Sequence, residues 1–481
     1  MPAWVSIGPF GEGGVCPGGS PGKLSGRIIS LERDFHDTNI LYAGSASGGL
    51  WKSSNGGGAW ANVVDDLPHP SVSAIASHPT KAGHVWIGTG NKADGVSGPG
   101  APSLGLLYRS IDDGAHWSRV TFAGSENPAW ISKIILFPQI ANQDVIFVAT
   151  DLGVYRSQTY GSMWEKALPG RFSDLALHAP IFGSAFEIVA ATYSTNQTTT
   201  GGELQRSTTG GDPGSWLPLD LPGASAALSR ITLAASRLSV HETLYANVAA
   251  ADNSWEGIWR SDDFGDSWAE VNIPAAGGQM NYNNAIAVDQ SAGNRVLTGS
   301  NARELFRSLD GGMSWDGSGD NPNGALHEDV HAILVVWPTV FVANDGGVFK
   351  STDTGSNFSD LGNRWIVVSQ IYHLTVNAVP GGVWDGGRYY IGTQDNGVMR
   401  GPNEFLDWDK LTCCDGGDIA FKDGTPYSTL TGLSATAGHR YQYPTADICA
   451  SWQPFATGLP AGQPWSNRFI YDGSDFLTNF G

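Results

Sequence analysis

The sequence predicts an all-β chain folded as a β-propeller of four-stranded blades, and three observations carry that reading. A pattern of about thirteen residues recurs along the chain, and no long 3.6-period segment separates the copies. The composition is that of a turn-rich repeat protein, with 64 glycines, 18 tryptophans and only 15% charged residues in 481. The copies are "GGLWKSSNGGGAW" (48–60), "GLLYRSIDDGAHW" (105–117), "LGVYRSQTYGSMW" (152–164), "GELQRSTTGGDPGSW" (202–216), "EGIWRSDDFGDSW" (256–268), "RELFRSLDGGMSW" (303–315) and "GGVFKSTDTGSNF" (346–358). An eighth, "NGVMRGPNEFLDW" (396–408), keeps the frame without the Ser and the glycine, and "GHRYQYPTADICASW" (438–452) is a more eroded ninth. They start roughly 42 to 57 residues apart, the size of one four-stranded blade.

Within each unit an apolar run comes first, then a short β-rich run, then the motif, as in "ILYAGSASGGLWKSSNGGGAW" and "VFVANDGGVFKSTDTGSNF". Runs of Val, Ile, Tyr and Trp punctuated by Gly, Asp and Asn read as strands joined by tight turns. In S-x-D-x-G-x-x-W the Asp or Asn side chain accepts turn N–H groups, the glycine supplies a positive φ and the Trp staples the hairpin to its blade. The motif is therefore a folding device and not a catalytic one. No Ser/Pro-rich tract, charge block or compositional break marks a linker, so residues 1–481 read as one repeat domain. Nine units plus the terminal "NRFIYDGSDFLTNFG" fit a single large propeller of eight to ten blades, or a seven-bladed propeller followed by an incomplete second one.

The pattern resembles the Asp-box (BNR) repeat of sialidases, family 74 xyloglucanases and the sortilin ectodomain, and the resemblance covers nearly the whole chain. It implies the fold far more strongly than any one activity.

A formal net charge of -19, from 27 Lys and Arg against 46 Asp and Glu, opposes binding to nucleic acid or to anionic membranes. No apolar stretch approaches the roughly 20 residues that span a bilayer, and the opening "MPAWVSIGPF" is not a signal peptide. The family resemblance nonetheless implies an extracellular protein. Cys16, Cys413, Cys414 and Cys449 show no metal-binding spacing; the adjacent pair could form a vicinal disulfide, bond separately with the other two or stay reduced, and the even count favours oxidation. Asn196 and Asn357 head glycosylation-type triplets.

If strands are lettered A to D from the axis outward, the motif occupies the C–D turn, and the D–A and B–C connections emerge together on the opposite face. Three B–C connections, 88–105, 191–203 and 246–257, are longer than a hairpin needs. Insertions gathered on one face suggest walls around a cleft, and their polar composition with Trp255 among them suits a glycan or another small ligand. The D–A side carries Trp130, Tyr282 and Asn283, then His327, Asp329 and His331, then Gln370 and Tyr372, then Asp415 and Asp418. The turns "ANDGG" and "GTQDNG" add Asp345, Gln394, Asp395 and Asn396 to the same face.

His327, Asp329 and His331 alternate, so in an extended segment all three would face the channel, where they could hold a divalent metal or orient an acid and a base. The competing reading is that Asp and His at the heads of inner strands tie neighbouring blades together through buried hydrogen bonds. No cofactor is required by either.

The succession "HEDVHAIL…ANDGG…SQIYHL…GTQDNG…DGGD" also resembles the H-x-D-x-H, NDGG, QDNG and GGDG series of bacterial sortilin-like or glycosyl-hydrolase BNR proteins. Sialidases carry an R-I-P motif that this chain lacks. Family 74 enzymes invert with two aspartates, and "AGSASGGLW" puts Ala46 where the resemblance implies the base. "CCDGGDIAF" offers Asp415 or Asp418 near the acid, and a replacement base would come from Asp329, Asp345 or Asp395. The expectation is a propeller that binds a neutral glycan on its B–C/D–A face, through Trp130, Trp255, Tyr282 and Tyr372 among others, with hydrolysis by a carboxylate pair drawn from Asp329, Asp345, Asp395 and Asp415. A sortilin-like propeller that binds peptide or protein without catalysis is the alternative, and a small-molecule enzyme using the channel is a third.

Overall fold

The computed structural model describes residues 25–64, 67–91, 104–122, 124, 126–138, 144–178, 186–194, 203–225, 227–236, 243–271, 278–301, 305–317, 326–359, 363, 366–376, 389–401, 409–411, 415–422, 425–431, 438–441, 452–455, 468–471 and 476–479. Among them the chain forms ten antiparallel sheets in chain order: eight of four strands, one of three and one of two. They span 28–62, 72–120, 131–169, 172–219, 228–271, 285–317, 332–351, 371–410, 415–455 and 468–479. No helix of the described residues is long and apolar enough to cross a membrane. All four cysteines and Asn196 lie outside the described residues.

Second strands such as Leu41–Ser45, Val85–Thr89 and Val145–Thr150 are buried throughout, because each is pressed between two neighbouring sheets. Their near-continuous apolar sequences follow from that two-sided burial. Outer strands such as Ser118–Val120 and Ala269–Val271 are largely exposed. First strands bulge where they begin, between Val72 and Ala74, Phe172 and Asp174, and Leu228 and Arg230. A serine beside the bulge then bonds the next sheet: Ser73 Oγ to Ile131 O at 2.6 Å, and Ser173 Oγ to Ile231 O at 2.6 Å.

The repeated turn is built as its chemistry requires. In the sixth copy Ser308 Oγ accepts Gly312 N–H at 2.7 Å and donates to Asp310 Oδ1 at 2.8 Å, and Asp310 Oδ1 accepts Ser314 N–H at 2.9 Å. Gly312 sits at φ +91°, and the matching Gly57, Gly114, Gly161, Gly211, Gly265 and Gly355 are all left-handed. Trp164 Nε1 closes the third turn on Gly161 O at 2.9 Å. Asn357 is exposed in the seventh turn and bonds Asp353.

The basic residue just before the motif serine has a second task, which is to reach the turn of the following sheet. Lys52 bonds Asp113 O, Arg109 bonds Tyr160 O, Arg156 bonds Gly210 O and Arg206 bonds the Asp266 carboxylate. Arg260 then bonds Gly311 O, Arg307 bonds Thr354 O, and Lys350 bonds Gly56 O, back in the first sheet, at 2.7 Å. The apolar packing returns the same way: one core cluster joins Ile28, Leu41 and Trp51 of the first sheet to Phe341, Ala343 and Val348 of the seventh. The first and seventh sheets therefore meet through the same kinds of contact as successive sheets do. The first strands of the last three sheets, Ile371–Val376, Asp415–Lys422 and Arg468–Tyr471, pack on one another in succession.

Candidate functional site

The heads of the first strands and the turns between second and third strands share the face opposite the repeated turns, and there a buried polar cluster forms around Asp345. Asp345 lies in the turn between Thr339–Asn344 and Gly347–Ser351 and is 1% exposed. Its Oδ2 accepts the Tyr282 hydroxyl at 2.8 Å, and its Oδ1 lies 2.6 Å from His331 Nε2. The Asp395 side chain hydrogen-bonds it as well. Arg27 Nη1, from the head of the first sheet, donates to Tyr282 Oη at 2.6 Å, and the Tyr282 and His331 rings meet edge to face at 4.9 Å. Four sheets, the first, sixth, seventh and eighth, therefore converge on one carboxylate.

Burial alone would raise the Asp345 carboxyl, but His331, Arg27 and the bond from Asp395 outweigh it and hold it at about 2. Burial pulls His331 below its usual value, with Asp345 opposing. The pair is thus a carboxylate and a neutral imidazole donating Nε2–H. Tyr282 is pushed up, first by burial and then by the Asp345 charge, so it stays a donor.

Asp329 is the partly exposed carboxyl beside this cluster. Asn283 Nδ2 donates to its Oδ1. Burial and the nearby Asp345 charge push the Asp329 carboxyl up to about 7. Its backbone is left-handed at φ +66°, and strand Ala332–Val336 begins only three residues later. The extended segment that would have aimed His327, Asp329 and His331 one way is therefore absent. The three diverge instead, His331 onto Asp345, Asp329 onto Asn283, and His327 Nε2 to within 3.2 Å of Asp395 O. Among the described residues no three His, Cys, Asp or Glu side chains are grouped to hold a metal ion.

The turn of the eighth sheet docks on the seventh. Asn396 Nδ2 bonds Asp345 O at 3.0 Å, and Gln394 N bonds Gln370 O at 2.9 Å. Asp395 (φ +59°) and Gln394 are partly exposed, whereas Asn396, Asn283 and His327 are buried and act as ties. The two tryptophans stand apart from this cluster. Trp130 is buried against Tyr193, with Arg171 over its ring, and Trp255 donates Nε1–H to the buried Asn247 at 2.7 Å. Ala46 is buried, its N–H bonded to Arg27 O. The side chains of Tyr372, Asp415 and Asp418 lie outside the described residues.

Arg27 and Arg230 are the site residues that the sequence reading missed. Both are nearly fully buried at the heads of apolar strands, in "SGRII" and "LSRIT". A lone arginine directly before an isoleucine at the start of a strand is the cue that was available.

No protein-family model matches the chain. It is 24% identical over 365 residues to a xyloglucanase of Hypocrea jecorina (strain QM6a), which covers 65% of this chain and 39% of that protein. It is 34% identical over 127 residues to a xyloglucanase of a Paenibacillus species, 23% of this chain and 11% of that protein. The chain spans less than half the length of these curated relatives. Among solved structures, the GH74 xyloglucanase from Xanthomonas campestris matches with a TM-score of 0.67 at 17% identity, over 92% of this chain and 69% of that one. The GH74 enzyme of Niastella koreensis matches with a TM-score of 0.58 at 15% identity, over 97% and 80%. The chain thus has the β-propeller fold of the GH74 glycoside hydrolases and is similar in sequence to xyloglucanases.

Proposed function

We propose that the chain is a carbohydrate-active propeller that binds a neutral glycan on the face bearing Asp329 and Asp395 and hydrolyses it with inversion. The observation that carries this reading is Asp329: a partly exposed carboxyl, fixed by Asn283 and raised to about 7, holds its proton through weakly acidic pH and into the neutral range, where it can give it to a leaving glycosidic oxygen. Asp395, partly exposed on the adjoining eighth sheet, is our candidate base; it lends a proton to the Asp345 carboxylate in this arrangement and acts as base in the form from which that proton has left. It would take the proton of a water that attacks the anomeric carbon from the opposite side as the C–O bond breaks. Asp345 is too buried to touch substrate; its role is to set the charge around the other two. Similarity to xyloglucanases supports a plant-type polysaccharide as the first substrate to try, and a polymeric substrate fits an extracellular enzyme.

The test is incubation with xyloglucan and other neutral β-glucans, reading new reducing ends together with retardation in affinity gels. Reducing ends that vanish in Asp329→Asn and Asp395→Asn establish hydrolysis by this pair. Retardation without cleavage makes the protein a glycan binder, and neither signal defeats the proposal.

A further inference from the structure

The boundary between the second and third sheets is fastened differently from its neighbours. Its forward bond, from Arg109 to Tyr160 O, is 3.5 Å long, whereas the other six run from 2.5 to 3.1 Å. The turn that receives it, "SQTYGSMW" (157–164), carries no acidic residue to hold the guanidinium. The hairpin 78–84, between strands Val72–Ser77 and Val85–Thr89, takes over by reaching Asp144 and Tyr160 of the third sheet.

His78 is fully buried, and both of its ring nitrogens are in use. Nδ1 accepts the Thr80 and Lys81 N–H groups at 3.1 Å each, which places the ring proton on Nε2, 3.1 Å from Asp144 Oδ2. Lys81 Nζ bonds the same carboxylate oxygen and lies 4.0 Å from the centre of the Tyr160 ring. His84 closes the hairpin, its carbonyl accepting His78 N–H at 2.9 Å, and sets its Nδ1 2.5 Å from the Tyr160 hydroxyl. Burial raises the Tyr160 phenol, so Tyr160 is the donor and His84 the neutral acceptor. Arg109 lies over the Tyr160 ring from the other strand.

A second proton fits neither ring. On His78 it would go to Nδ1 and displace two N–H donors; on His84 it would go to the nitrogen that accepts the Tyr160 hydroxyl. Either would join the charges of Lys81 and Arg109, and among the described residues Asp144 is the one carboxylate acting on both histidines. The other carboxylates bordering the hairpin are committed elsewhere. Asp34 accepts Ser77 Oγ and the N–H groups of His36 and Asp37, and Asp113, whose N–H bonds Gly83 O, gives its carboxylate to Lys52 and Tyr42. Burial pulls both histidines below their usual value, Lys81 adds to this in each and Arg109 in His84, and only Asp144 opposes.

We propose that the hairpin 78–84 is an acid-released latch: protonation of His78 and His84 frees it from Asp144 and Tyr160, while the apolar cluster beneath, with Ala76 and Trp86 against Ile134 and Ile146, keeps the two sheets together. The sign follows from the lowered values. The closed latch is fully favoured above 6.5 and loses stability as pH falls below it, until each histidine's own lowered value is reached. The latch lies on the face of the repeated turns, opposite Asp329, and does not rest on the hydrolytic reading.

The test is hydrogen exchange of the full chain, read by mass spectrometry and corrected for the intrinsic pH dependence of exchange. Protection of 78–84 and 157–164 should fall about tenfold or more between about pH 6.5 and 5, while the sixth turn, 308–315, which has no histidine, keeps its protection. In the double variant His78→Gln, His84→Gln the fall should shrink to less than about twofold. Because His78→Gln could open the hairpin at every pH, His84→Gln alone, at a partly exposed position, keeps the test decisive and should reduce the fall by about threefold or more. Protection of the hairpin that does not change with pH, an undiminished fall in His84→Gln, or an equal loss at 308–315 overturns the proposal.

Discussion

Asp310 and Asp345 are both held at about 2, on opposite faces of the molecule and for opposite reasons. Asp310 is partly exposed at the surface, and its carboxylate is stabilised by hydrogen bonds from the Ser314 side chain, the Ser314 N–H and Ser308, all within one turn. Asp345 is buried, and only groups from four different sheets overcome the cost of removing it from water. The first device is local and recurs in copy after copy. The second exists once and depends on the assembled ring. Repetition along this chain therefore marks structure, and the departure from repetition marks the candidate site.

The largest expected effect follows from breaking the second device. Asp345→Ala leaves Tyr282, His331 and Arg27 around an empty carboxylate site and should cost about 3–5 kcal/mol in denaturant unfolding. A loss below about 1 kcal/mol would mean that buried charge does not hold this face.

Next comes pH. The folded value of Asp329 is raised from 3.8 to about 7, so its contribution to stability is fully present below 3.8 and is lost as pH rises through 7. That loss runs at up to ~1.4 kcal/mol per pH unit inside the window. Asp345 has the opposite sign: its contribution is present above 3.8 and is lost as pH falls through about 2. Unfolding midpoints of Asp329→Asn, followed from pH 4 to 7, should be flatter than those of the parent chain; parallel curves would remove the raised carboxyl from the account.

On the other face, Ser308→Ala should cost about 1 kcal/mol, through the lost bonds to Gly312 and Asp310. Asp310→Asn should lower the unfolding midpoint by less than Ser308→Ala does, since the amide oxygen still accepts the Ser314 N–H while the amide nitrogen cannot accept the Ser314 hydroxyl. A larger drop there would mean that the turn face also relies on charge, and the contrast between the faces would narrow.

The same contrast explains what could be read in advance. The turns were legible because Ser308, Asp310 and Gly312 meet within five residues, so spacing alone reports their bonds. The face that carries the candidate site was legible from strand order. The contact between the first and seventh sheets was not, because Lys350 and Gly56 are 294 positions apart and lysine recurs without naming its acceptor. The alternation of His327, Asp329 and His331 misled because it presumes an extended backbone, and Asp329 is left-handed. Arg230 was passed over because arginine at a strand head ordinarily faces water, and only its three carbonyl partners in the neighbouring sheet show otherwise.

The chain of basic residues that runs from each sheet to the next turn bears on how such a molecule could be rebuilt. Each of the first six sheets carries a basic donor that reaches the turn of the next, and that of the seventh reaches the turn of the first. The bond between Lys350 and Gly56 is thus of the same kind as those at five of the six covalently continuous junctions, the sixth being the Arg206–Asp266 ion pair. The boundary between the first and seventh sheets, which the polypeptide does not cross directly, thus uses the same device as its covalently continuous neighbours. A circularly permuted ring, opened at another junction, would meet the same contacts at its new seam.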